Sequence, residues 1–99
     1  RGPRAARLEA LSVSHCNLTD GDLAELQQLL PAAAGIRSLD LSHNKLTNRA
    51  LQALVAALAG GVAPQLERLD LRGNKLSSPA GTMLRGLKVL RKELAVEWE

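Results

Sequence analysis

Arg68, Asp70 and Arg72 alternate with Leu69 and Leu71, and Asp40 stands between Leu39 and Leu41 with Arg37 and Ser42 close by. In extended backbone, residues two apart point to the same face, so these charges and leucines separate onto opposite faces. A row of ionised groups on a stiff strand suits recognition, through ion pairs and charge-assisted hydrogen bonds to another macromolecule. The residues expected to contact a partner are Arg37, Asp40, Ser42, Arg68, Asp70 and Arg72. No nucleophile–base–acid arrangement is visible, and no reaction is assigned.

Three other residues could carry chemistry. His15 and His43 occupy the same place in successive units, and Cys16 follows His15. The place of Cys16 is expected to face inward, which makes it a buried, inert thiol and leaves the histidines to stack in a loop. No metal centre and no cofactor is expected. Gly60-Gly61 reads as a helix stop, because it has none of the context of a phosphate-binding loop. Arg85, Lys88 and Lys92 follow helical spacing and read as the wet side of the last helix.

The elements that position these residues come from a repeated grid. LERLDLRGNKL runs from Leu66 to Leu76, IRSLDLSHNKL from Ile36 to Leu46, and LEALSVSHCNL from Leu8 to Leu18. Apolar residues take the first, fourth, sixth and eleventh places, and Cys16, Asn44 and Asn74 take the ninth. The starts at 8, 36 and 66 give a period of 28 and then 30 residues (36 − 8 and 66 − 36). Self-similarity at such a period marks a solenoid. The asparagine is expected to satisfy backbone groups of the buried loop after each strand.

This pattern resembles the leucine-rich repeat family, LxxLxLxx(N/C)xL. The helix-length interval after each grid, and cysteine as well as asparagine at the ninth place, are similar to its ribonuclease-inhibitor-like class. The resemblance implies an α/β fold: a short solenoid with a parallel concave sheet and convex helices. It also implies an intracellular protein, cytoplasmic or nuclear, that binds another protein. The class includes ribonuclease inhibitor, the Ran GTPase activator and the sensor ends of NOD-like receptors, so regulation of a small GTPase stays open as an alternative. Weak nucleic-acid binding through the arginines of the lead-in and last helix is a further one, disfavoured because aromatics for base stacking are absent.

Residues 1–7 read as a flexible lead-in and 8–99 as the repeat domain, with a C-terminal cap at 91–99. Strands are expected near 9–13, 37–41 and 67–71. Helices are expected over about 21–30, from a cap at Asn48, and from Ser78-Pro79. Leu94, Val96 and Trp98 alternate like a strand, due 28 residues after Leu66, and cover the last repeat. A helix through Leu90, Leu94 and Trp98 is the other reading of that tail. The first repeat looks uncapped, which predicts self-association through its strand edge.

The 99 residues are 45% hydrophobic and carry a net charge of +3, too mild for a nucleic-acid footprint. With one cysteine there is no internal disulfide framework, which favours a reducing compartment. Asn17-Leu18-Thr19 matches a glycosylation acceptor by chance, inside the grid. No apolar run approaches membrane-spanning length, and no small-molecule substrate or membrane partner is expected. Arg1-Gly2-Pro3-Arg4 does not look like a signal peptide, and the chain is expected to be a segment of a longer protein.

Overall fold

A computed structural model describes residues 9–98. The lead-in expected at 1–7 lies outside the described residues. Four short strands, β1 (Ala10–Ser12), β2 (Ser38–Asp40), β3 (Arg68–Asp70) and β4 (Ala95–Glu97), form one parallel sheet in sequence order. The helices α1 (Asp20–Gln27), α2 (Asn48–Ala59) and α3 (Ser78–Leu90) form the second layer, and a 3-10 turn over Leu30–Ala33 follows α1. The fold is the α/β repeat stack that the grid implies.

The register explains the grid. Leu11, Leu39, Leu69 and Val96 lie level across the sheet. The buried leucines at the fourth and sixth places, Leu39, Leu41, Leu69 and Leu71, meet the helix stripes Leu51, Leu54, Leu58 and Ala80, Leu84, Leu87 in one core. Leu11 and Val13 of the first unit pack against that core and are only partly buried.

The interior of each turn is closed by the ninth-place asparagine. Asn44 Oδ1 accepts from the Cys16 and Leu18 N–H groups, both at 2.9 Å, and its Nδ2 donates to the Val13, Leu41 and Ser42 carbonyls, each at 3.0 Å. Asn74 repeats this one unit on: it accepts from Leu46 N–H at 3.1 Å and donates to the Leu41 and Leu71 carbonyls at 2.9 Å. Each asparagine therefore satisfies the loop of the unit before it as well as its own.

The helix starts are linked in the opposite direction. The Asp20 carboxylate accepts from the backbone N–H and hydroxyl of Thr47, which caps α2. Asn48 accepts from Ser77 N–H at 3.1 Å and donates to the Ser77 hydroxyl at 2.7 Å. The cap of α2 is thus Thr47, and Asn48, expected as the cap, reaches forward to the next unit. Thr19 caps α1 in a reciprocal pair with Asp22.

Two helix ends differ from expectation. The first helix stops at Gln27 and passes into the 3-10 turn. Pro31 has no N–H to give and disfavours helical backbone before it, so Leu30 reaches the core from a tighter turn. Arg91, placed by the sequence in the C-terminal cap at 91–99, instead donates from its guanidinium to the Leu58, Val62 and Ala63 carbonyls. It closes the end of α2, where Gly61 turns at φ 101°.

The tail is a strand. Its register arrives one residue early, since Ala95 pairs with Arg68, so Leu94 lies level with Glu67. Trp98 packs over Gly81 of α3, whose missing side chain makes the seat: a Cβ there would come within 3.1 Å of the indole. At the other end, among the described residues, β1 is paired only to β2.

Replacing Leu41 with alanine removes a fully buried side chain and should lower unfolding stability by about 2–5 kcal/mol. Asn44→Ala removes five hydrogen bonds and leaves the Cys16 and Leu18 N–H groups and the Val13 carbonyl without theirs, so it should lower stability by about 2–4 kcal/mol, more than Asn74→Ala. Urea denaturation followed by circular dichroism measures both, and an Asn44→Ala protein as stable as the parent would contradict the stapling role.

Candidate functional site

The sheet face away from the helices carries the charged residues. At the fifth place of the grid, Ser12, Asp40, Asp70 and Glu97 stand level on the four strands. Like charges side by side repel, so each carboxylate needs local compensation. Asp70 receives it from Arg72, whose Nε and Nη2 donate to its two oxygens at 3.0 and 2.8 Å, while Arg72 N–H donates at 3.1 Å. Arg72 Nε also stands 3.7 Å from Glu97 Oε1. One guanidinium thus ties two of the three acids.

Asp40 has a different environment. Its Oδ1 accepts from the backbone and hydroxyl of Ser42 at 2.9 and 2.6 Å, and its Oδ2 from the Ser12 hydroxyl at 3.4 Å. Among the described residues no cation pairs with it. The Ser42 hydroxyl bond is the main cause that holds the Asp40 carboxyl below its ordinary value, against burial and the neighbouring Asp70. Asp70 is lowered too, mainly by the hydrogen bond from Arg72. That bond also raises Arg72.

Beside this row, Arg37 and Glu67 pair at 2.8 Å with both side chains about half exposed, a geometry worth roughly 0–1 kcal/mol. Glu9, at the same grid place in the first unit, forms no ion pair with Arg37 among the described residues. Arg68 is exposed and forms no ion pair among the described residues; its strand neighbours are the short Ser38 and Ala95. Asp40, Arg68, Asp70 and Arg72 are therefore brought together on one face, while Arg37, one residue before β2, is engaged with Glu67. Ser42, expected among the contact residues, is buried, 4% exposed, and its hydroxyl positions Asp40. Glu97 belongs to the row and was missed, because the early register of β4 brings it level with Asp70.

The loop end of the face holds the histidines. Their rings stack with centroids 4.4 Å apart and 9° between planes. Both have left-handed backbone at φ 57°, as has Gly73 at φ 76° in the same place of the third unit. At Gly73 a Cβ would meet the His43 ring, so a side chain there would require that ring to shift. Cys16 is exposed, contrary to the expected buried thiol. The reason is positional: Asn44 and Asn74 are covered by the turn of the unit before them, and Cys16 belongs to the first described turn. Among the described residues no three His, Cys, Asp or Glu side chains gather as a metal ion would require.

With this geometry in place, comparison with known families is decisive at the level of fold. Family models described as Leucine Rich Repeat match residues 7–29 and 65–87, and one described as Leucine Rich repeat matches 36–55. Together they span about two thirds of the chain, in phase with the three grids. The chain belongs to the leucine-rich repeat family. No curated protein matches it. Leucine-rich repeats generally mediate protein–protein interaction and typically lack catalysis. No described helix is long and apolar enough to cross a membrane.

Asp40 and Asp70 have folded values below their unfolded ones, so they add stability above the ordinary carboxylate range, and this is lost as pH falls through the lowered values. The urea midpoint should therefore drop between about pH 5 and about pH 3. Asp40→Asn, which cannot titrate, should show a shallower drop in the same titration.

Proposed function

We propose that the chain is a protein–protein interaction module that binds its partner through the sheet face. The observation that carries this reading is the row of Asp40, Arg68 and Asp70 on backbone already ordered by the sheet, with Arg72 held against Asp70 and Arg37 at the start of β2. Side chains held this way lose little freedom on docking. Arginine also contributes disproportionately at interface hot spots. Within the face, Arg68 and Asp40 are the charges not cancelled by an ion partner, so they are the ones a partner can pair with. No reaction is proposed.

We read the module as ribonuclease-inhibitor-like and intracellular. The repeat period, the α-helices on the outer layer and the Cys/Asn ninth place support the class. The lone, exposed Cys16 supports the compartment, because a reducing environment keeps such a thiol free.

The test is a pull-down from cytosol with partner identification, followed by affinity measurements on variants. Arg68→Glu should cut affinity for the true partner by about tenfold, most clearly at low salt, and leave the melting curve unchanged. Arg72→Glu is a poorer probe, since it adds an acid beside Asp70 and Glu97 and disturbs the face itself. Arg85→Glu with Lys88→Glu, on the helix layer, should leave partner affinity intact. Binding lost in the helix pair and kept in Arg68→Glu would move the working surface to the helices. Under this reading, GTP hydrolysis by small GTPases is unchanged when the chain is added.

A further inference from the structure

The helix layer has a feature that partner binding at the sheet does not use. Its charges are sorted by sign. Between Arg7 and Arg37 there is no lysine or arginine, and α1 carries Asp20, Asp22 and Glu25. Between Asp70 and Glu93 there is no acid, and α3 with its end carries the exposed Arg85, Lys88 and Lys92. The exposed large hydrophobics are sorted with them. Leu29, just past α1, is 63% exposed; Val89 and Leu90, at the end of α3, are 70% and 67% exposed. One side of the layer thus presents acid with an apolar residue, and the other side base with apolar residues. The helix between them shows water small or neutral groups, Gln52, Ala53, Ala56 and Ala59, apart from Arg49 in its first turn.

We propose that this helix layer is a docking surface for a second copy of the chain, packed back to back about a two-fold axis parallel to the helices. That operation places α1 of each copy on α3 of the other, with the helices parallel and both contacts made at once. The levels agree. The three caps, Thr19, Thr47 and Ser77, are linked in a row by the Asp20 and Asn48 bonds, so residues can be counted from them. Glu25 is the sixth residue after its cap and Arg85 the eighth; Leu29 is the tenth and Val89 the twelfth. Both pairs are offset by two residues, about 3 Å along a helix axis, within reach of the side chains. Glu25 then meets Arg85, and Leu29 meets Val89. The small residues of α2 lie on the axis and let the two layers approach. The contact is isologous, so it closes at two copies. It leaves the sheet face free in both, and it differs from self-association through the β1 edge.

The experiment is sedimentation equilibrium of the full chain over roughly 1–300 μM, with circular dichroism melts to confirm that every variant folds. The expected result is a monomer–dimer equilibrium that weakens with salt. Glu25→Lys and Arg85→Glu should each weaken it by about tenfold, and the double reversal should restore most of the loss. Val89→Asp should weaken it comparably without touching either charge. A monomer throughout the range, or species larger than two, overturns the proposal. So does a dimer indifferent to Glu25→Lys and Val89→Asp yet abolished by Ala10→Pro, which would put the contact at the β1 edge.

Discussion

The structure depends on satisfying backbone groups in a turn that has no secondary structure of its own. After each strand the chain bends sharply into the interior, where unpaired N–H and C=O groups are expensive. A carboxamide is the side chain that donates and accepts at the same point, and Asn44 does both for two successive turns. The strands are only three residues long, so their ladders alone could not hold the sheet. Leucine burial supplies most of the driving force, while the asparagine decides that the leucines stack in one register.

Given that frame, the surface follows with little freedom. Strand alternation sends the leucines inward and the charges outward, and register sets them in rows. The fifth-place row is an arrangement that a chain would avoid without compensation, because three acids stand level. Arg72 and Ser42 compensate in different ways, one by charge and one by neutral hydrogen bonds. As a result Asp70 is a closed ion pair, whereas Asp40 keeps a charge with no cation on it.

Much of this was legible in the residues. The repeat starts, the strand positions, the stacked histidines and the strand at Leu94–Trp98 all follow from period and alternation. What was not legible depended on contacts between units. Ser42 sits at a strand-face position, and nothing local says that it folds under Asp40. Glu97 joins the row only because the connection after α3 is one residue shorter than the period suggests. Arg91 follows its own helix in sequence but serves the end of α2, a destination that helical spacing does not encode. Cys16 was misplaced by applying the environment of the middle repeats to the first described one.

The two polar ladders run in opposite senses along the chain. Asn44 and Asn74 reach back to complete earlier turns, while Asp20 and Asn48 reach forward to complete later helix starts. Arg91 adds a backward reach across a whole unit. Chains are made from the N-terminus, and synthesis is slow compared with the closing of a local turn. On the ribosome, therefore, the first turn cannot mature until Asn44 has emerged, nor can the end of α2 until Arg91 has. The solenoid has a built-in delay: each described turn waits for the residue of the next unit that completes it.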